Sequence, residues 1–410
     1  MAPVTQAKIA RLVEARFEEE VAFLRELVRV PTDTPPGDNA PHAERTARLL
    51  EAMGFTVERF PVPARQVRAA GLTSLTNLIV RRRFGPGPTI ALNAHGDVVP
   101  PGDGWSKPPY EGVIDKGRMY GRGVAVSKSD FATYTFALRA LEALGRPLAG
   151  TVELHFTYDE EFGGLLGPSY LLRTGATKPD LAIGAGFSYA VVTAHNGCLQ
   201  LEVTVRGKAA HAAMPETGHD ALGAAVRILN ALYAERDTYA ATKSRVAGID
   251  SPTLTVGRIE GGINTNVVPD RVTLRLDRRM IPEEDPRKVE QRLKAVIRDA
   301  VKGLPGIDVD VRRLLLARAL SPLPGHERLV EAIRTRAAAV FGEPIPATAT
   351  PLYTDARLYA EAGVPIVLYG AGPRTILEAN AKRADENLVL EDLKRATIVV
   401  AWALSDLLSG

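Results

Sequence analysis

The chain has 410 residues, 45% hydrophobic and 24% charged, with a formal net charge of +3. That length exceeds what one hydrophobic core usually organises, so two domains are expected. The charge is small, no basic stripe alternates with aromatics, and the one cysteine (Cys198) excludes an intrachain disulfide, so no nucleic-acid partner is expected.

In chain order, MAPVTQAKIARLVEARFEEE opens an amphipathic helix and lacks the apolar segment of a signal peptide. Helical periodicity covers 8–29 and 43–53, where Gly54 stops the second helix. Strands follow at 55–60, 77–82 and 89–95, then a helix over 131–144 and a strand over 151–160. Strands alternating with helices predict a largely parallel α/β sheet, whose ligands sit beyond the carboxyl ends of the strands. Between 197 and 312 the rhythm changes to strand 199–207, helix 220–240, strands 253–261 and 270–280, helix 285–302 and strand 308–316. That βαββαβ order predicts a ferredoxin-like unit inserted into the larger domain. The α/β pattern resumes with helices at 325–341 and 390–408 around the strand 365–370. The apolar run IVVAWALSDLL (398–408) is too short to cross a bilayer, so a cytoplasmic chain without membrane contact is expected. The expected domains are 1–196 with 313–410, and 197–312.

Two strand ends carry chemistry. In His95-Gly96-Asp97 the two side chains share a face, so Asp97 orients His95 or simply caps a helix. Glu160 and Glu161 follow Asp159 and precede Gly163-Gly164. Adjacent side chains diverge, which suits one general base and one metal ligand, or else a solvated acidic loop.

HGDVVPPGDGW, GRG-four residues-Lys, DEE before Gly-Gly, GKAAHAAMP (207–215) and INTNVVPD (263–270) occur in the order and approximate spacing of the M20 metallopeptidase family, which the chain resembles from about residue 8 to its end. The resemblance implies a zinc-exopeptidase-like α/β catalytic domain with a ferredoxin-like lid, used for dimerisation. Members hydrolyse amide bonds next to an amino-acid carboxylate, usually with two zinc ions bridged by one Asp. Residue by residue, it makes His95 the first metal ligand, Asp97 its orienting carboxylate, Glu160 the general base and Glu161 a second ligand. It also makes His211 a residue reaching the facing site of a homodimer, and Asn266 and Arg279 substrate contacts. Arg357, in TDAR, is a further candidate for substrate binding.

Three ligand positions depart from the family pattern. Val126 stands where the bridging Asp belongs, Ala185 where a further acid belongs and Lys382 where the last His belongs. Each metal would keep one protein ligand, whereas zinc normally takes three or four. No metal or other cofactor is therefore expected. The expected activity is hydrolysis of an N-acyl or peptide amide in a small amino-acid derivative by Glu160, with Asp97, Lys382 and His211 in catalytic roles. Lys382 either neutralises Glu160 or Glu161 or, with a lowered pKa, acts as a base. The last option leads to metal-free racemisation or epimerisation, and a non-catalytic ligand-binding protein is the third reading.

Overall fold

The computed structural model describes residues 5–409; the expected helical character of residues 1–4 lies outside them. The chain divides into two compact units, one of 1–193, 322–348 and 354–410, the other of 194–321 and 349–353.

In the first unit the strands are β1 (Val57–Pro61), β2 (Thr76–Arg83), β3 (Thr89–His95), β4 (Val113–Asp115), β5 (Arg118–Tyr120), β6 (Thr151–Thr157), β7 (Leu181–Gly184) and β8 (Val191–His195). The second unit then supplies β9 (Gly197–Arg206), β10 (Thr253–Gly261), β11 (Arg271–Met280) and β12 (Asp308–Ala317). After it come β13 (Ala347–Thr350), β14 (Ile366–Leu368) and β15 (Asn387–Val389). Eight strands form one sheet in the order β1-β2-β6-β3-β7-β14-β8-β13, and β15-β5-β4 form a small one.

The large sheet is mixed rather than largely parallel. β6-β3-β7-β14 is a parallel centre, whereas β1, β2 and β8 pair antiparallel. The parallel centre reads as continuous buried runs, such as Ile90–Ala94 and Val152–Phe156, because both faces are covered. Register sets the functional edge: His95 pairs with Thr157, and Asn93 with both His155 and Gly184. His95, the segment after Thr157 and Ala185 after Gly184 therefore emerge from neighbouring strands at the same end.

The helix expected over 8–29 is two, Gln6–Glu14 and Phe17–Val28. Arg16 leaves helical geometry at φ −128°, ψ 11°, so periodicity continues while the backbone does not. The expected strand 151–160 stops at Thr157, and Glu160–Phe162 form a 3₁₀ turn. The helix expected from 131 begins at Lys128, which puts Lys128 and Asp130 in its first turn.

In the second unit β12-β9-β11-β10 are all antiparallel, with helices Ala221–Asp237 and Pro286–Ala300 in the two connections. Asp220 and Asp285 cap those helices through their side chains, the role their short acceptors suit. This is the ferredoxin-like arrangement, with its own core of Leu199, Leu201, Val203, Ile228, Leu274 and Leu293 among others. Among the described residues no helix is long and apolar enough to cross a membrane.

Candidate active site

The first unit gathers His95, Asp97, Glu160, Glu161 and Lys382 at the carboxyl edge of the parallel strands. His95 ends β3, and its Nδ1 lies 3.3 Å from Asp97 Oδ1 and 3.0 Å from the Asp97 carbonyl oxygen. The fully buried Asp97 carboxylate also accepts the backbone N–H of Glu160 at 3.2 Å and of Glu161 at 3.0 Å. One carboxylate thus fixes both the imidazole and the start of the 3₁₀ turn, a positioning task that the His-x-Asp spacing had indicated.

The two glutamates diverge as their adjacency requires. Glu160 Oε2 lies 3.9 Å from His95 Nε2, whereas Glu161 Oε2 accepts Lys382 Nζ at 2.7 Å. Burial would lower the His95 pKa, but the Asp97 hydrogen bond and the charges of Glu160, Asp97 and Glu161 outweigh it and hold it up at about 10. Burial raises Glu160 above the usual carboxylate range, only partly offset by His95. Burial also pulls Lys382 down, but Glu161 and Glu160 outweigh it and raise its pKa. Of the two roles expected for Lys382, the charges around it favour the ammonium that pairs with Glu161.

The loop GRGVAVSKSD explains how Val126 comes to this edge. Ser127 Oγ donates to the His95 carbonyl at 2.9 Å and accepts the His95 N–H at 3.0 Å, so the residue beside it borders His95. Val126 is half-buried there. Ala185 continues the β7 ladder by donating its N–H to Asn93 O at 2.8 Å, and is likewise half-buried.

Several residues the sequence reading passed over build the supporting shell. Glu386 accepts Arg122 Nη1 at 2.6 Å and the N–H groups of Gly123 and Ala125 at 3.1 Å each, tying the GRG loop to the segment that carries Lys382. Its signal was present as the acid four residues after Lys382. Lys128 is fully buried on the carbonyls of Leu27 and Val30, and burial lowers it to about 7 against the pull of Asp33, Glu386 and Asp97. Asp355 is buried behind the acids, its carboxyl raised by burial and then by Glu160 and Asp159. Gly164 (φ +71°) must be glycine: a Cβ there would lie 2.1 Å from Asp355 Oδ1.

Arg357 does not stand among the exposed groups of the site. It is buried, donates to the Gly163 carbonyl and lies 3.6 Å from Glu361, so its guanidinium braces the glutamate turn, while its buried Nε has no hydrogen-bond partner. His155 is likewise committed, 2.8 Å from Glu153 Oε2 and 2.8 Å from the Tyr359 hydroxyl. In the second unit His211 pairs with Val267 and its Nδ1 accepts the Ala213 N–H at 3.0 Å, which sets it beside Asn266. Arg279 donates to Asp277 Oδ1 at 2.8 Å and lies over the Tyr353 ring.

A mixed α/β unit with acids and a histidine at its strand ends, interrupted by a ferredoxin-like unit, is the architecture of two-domain exopeptidase-type hydrolases. Residues 91–406 match the model of peptidase family M20/M25/M40. An acetylornithine deacetylase of Myxococcus xanthus is 30% identical over 396 residues, covering 95% of this chain and 97% of that protein. A succinyl-diaminopimelate desuccinylase of Acidiphilium cryptum (strain JF-5) is 29% identical over 389 residues, covering 92% and 95%. In fold the chain is similar to the di-peptidase Dug1p of Saccharomyces cerevisiae, with a TM-score of 0.82 at 16% identity over 99% of both chains. Human carnosine dipeptidase 1 gives a TM-score of 0.74 at 18% identity, over 98% of this chain and 99% of its own. The chain belongs to peptidase family M20/M25/M40, a family of peptidases and related hydrolases.

That family implies a zinc centre, and the donors here do not fit a pair of metal ions. Val126 and Ala185 offer no donor atom, and the Lys382 ammonium sits on the Glu161 carboxylate that would be a ligand. Among the described residues no group of three or more His, Cys, Asp or Glu side chains is placed to hold a metal ion. His95 and Glu161 alone fall short of the three or four protein ligands that zinc takes.

Proposed function

We propose that the chain hydrolyses the amide bond of a small amino-acid derivative, an N-acyl amino acid or a dipeptide, by acid–base and electrostatic catalysis without a two-zinc centre. The observation that carries this reading is the division of labour between adjacent acids. Lys382 takes Glu161, while Asp97 fixes the turn so that Glu160 faces His95. Glu160 takes a proton from water as its oxygen attacks the amide carbonyl. The Lys382 ammonium and the His95 imidazolium stabilise the negative charge that develops on the carbonyl oxygen. Glu160 then returns the proton to the leaving nitrogen as the C–N bond breaks, giving a carboxylic acid and an amine.

The names of the relatives support an amino-acid-derived substrate, since both act on acylated amino acids. Arg279 and Asn266 keep the substrate-carboxylate and carbonyl contacts that the family resemblance gives them, and His211 its assistance to catalysis. Each assignment predicts a rise in KM or a fall in kcat on alanine substitution. A homodimer through the second unit is part of the proposal. It is supported by the exposed Leu222 and Val226 on one helix and Ile259 on β10, a strand at the sheet edge; sedimentation at micromolar concentration tests it. Two-base racemisation is not retained, because the family and the relatives that the chain matches are peptidases, deacetylases and desuccinylases.

The deciding experiment is hydrolysis of a panel of N-acyl amino acids and dipeptides by wild type and Glu160→Gln, with and without chelator. Turnover indifferent to chelator and reduced by about 100-fold or more in the variant is expected, the scale of a lost general base. Turnover abolished by chelator and restored by zinc would overturn the metal-free part. Full activity in Glu160→Gln would overturn the rest.

A further inference from the structure

The second unit holds a cavity of about 350 Å³ lined wholly by its own residues. The end of the helix Ala221–Asp237 and the turn after it form one wall, through Glu235, Tyr239 and Thr242. The first turns of the helix Pro286–Ala300 form another, through Lys288, Val289 and Arg292. Arg278 on β11 lines the cavity as well, buried on the core-facing side of the sheet with Leu274 and Leu276. Its Cζ lies 4.2 Å from the centre of the Tyr239 ring. The charges of the lining are unequally committed. Glu235 accepts Arg292 Nη2 at 2.8 Å, Glu284 accepts Arg278 Nη2 at 2.5 Å, and Asp285 accepts the Arg287 N–H at 2.8 Å. Each acid of the lining therefore has a partner. Two cationic donors differ: Arg278 Nε is buried with no hydrogen-bond partner, and the exposed Lys288 ammonium has no ion pair among the described residues. A buried N–H left unbonded is costly, so this lining calls for an acceptor. Tyr239, Pro252, Val289 and Leu293 make the rest of it largely apolar, the mixture that small-molecule cavities show.

We infer that this cavity is an effector site for a small monocarboxylate with an apolar body, such as an arylalkanoic acid. The carboxylate takes the unused donors of Arg278 and Lys288, and the body covers Tyr239, Pro252, Val289 and Leu293. An amine finds no counterpart, because each acid it would need is already paired. Arg278 also links the cavity to the other face of β11. Its Nη1 donates to the Arg279 carbonyl, and the Arg279 side chain, one residue on, leaves from the opposite face, where it meets Asp277. A ligand that draws the Arg278 guanidinium toward itself therefore disturbs the backbone that sets Arg279. In this link alone the inference rests on the proposed reading, which gives the substrate carboxylate to Arg279.

The test is calorimetric titration of the full chain with phenylacetate, with phenylacetamide and phenethylamine as neutral and cationic controls. Phenylacetate should bind about tenfold tighter than the amide, the scale of a hydrogen bond to a charged group, and the amine weakest of the three. Lys288→Gln should bring phenylacetate down toward the amide, and Thr242→Trp should block both; each position is exposed and lines the cavity. In the Glu160→Gln form, which prevents turnover, saturating phenylacetate should weaken calorimetric binding of N-acetylglycine by about fivefold or more, the lower end of allosteric couplings. Adding Thr242→Trp should abolish that effect. Equal affinity for the three probes, or binding lost in Arg279→Ala but kept in both cavity variants, overturns the site. Unchanged N-acetylglycine binding overturns its effector role. Coupled binding of the two compounds with no amide cleavage by wild type would leave the site standing and overturn the proposed hydrolysis, so the two failures are distinguishable.

Discussion

Glu386→Gln removes one charge from a buried pair and should reach the active site through the backbone. Arg122 and Glu386 are each about 2% exposed and meet at 2.6 Å. Two unit charges about 4 Å apart attract by about 4 kcal/mol at an effective dielectric of ~20. Burial raises the Glu386 carboxyl, with Arg122 as the largest opposing influence, so the acid stays charged chiefly because of its partner. Taking away one member strands the other, a cost of about 3–5 kcal/mol. Arg122 would keep only neutral acceptors, the Pro101 carbonyl at 3.0 Å and Pro100 at 3.4 Å. Glutamine preserves shape and still accepts from Gly123 and Ala125, so the loss isolates the charge. Urea unfolding of wild type, Glu386→Gln, Arg122→Met and the double variant closes the cycle. The double variant should be less destabilised than the sum of the singles by about 2–4 kcal/mol, because neither charge is then stranded. Single and double losses that simply add, or a Glu386→Gln cost below about 1 kcal/mol, the range of exposed ion pairs, would refute the claim that this pair holds the loop.

Glu20 is fully buried, bonded to Thr397 at 2.5 Å, and burial raises it from 4.5 to about 8. The folded chain therefore keeps a proton that the unfolded chain releases near 4.5, so stability is lost as pH rises between those values. Relative to Glu20→Gln, wild type should lose about 1.4 kcal/mol per pH unit across that window; parallel urea-derived stability curves would contradict it. Gly164→Ala forces Asp355 away at a position with φ +71°, and should lower kcat more than KM by displacing Glu160, an outcome absent if the turn simply relaxes. Asp97→Ala frees two backbone N–H groups and the His95 imidazole together. Its kcat should fall by about 100-fold or more, as for loss of an organised acid–base pair; wild-type kinetics would remove Asp97 from its positioning role.

The parallel centre of the sheet and the inserted βαββαβ unit were legible because buried strands and amphipathic helices write their periods directly into the chain. β3 and β10 begin and end where the alternation predicts. The break at Arg16 was not legible, since two helices packed on one core share a continuous apolar stripe. The antiparallel flanks were also hidden, because direction depends on which strand a segment meets. At the site, spacing marked His95, Asp97, Glu160 and Glu161 as candidates and the family resemblance gave them roles, whereas their supporters could not be read at all. Asp355 and Glu386 matter through burial and partners 195 and 264 residues away along the chain, as with Glu160 and Arg122. Arg357, in the TDAR motif, is buried and donates to the carbonyl of Gly163, a partner 194 residues away that the motif did not reveal. The expectation for Lys382 left open whether it meets Glu160 or Glu161; its contact is with Glu161, and the charges of both acids raise its pKa.

The central claim is that this site works without a two-metal centre, and elemental analysis of protein purified from zinc-supplemented medium tests it most directly. The account predicts well under one equivalent of zinc in the wild-type chain, rising in a Val126→Asp, Ala185→Glu, Lys382→His variant that restores the missing donors. Near two equivalents retained by the wild type through dialysis would contradict it.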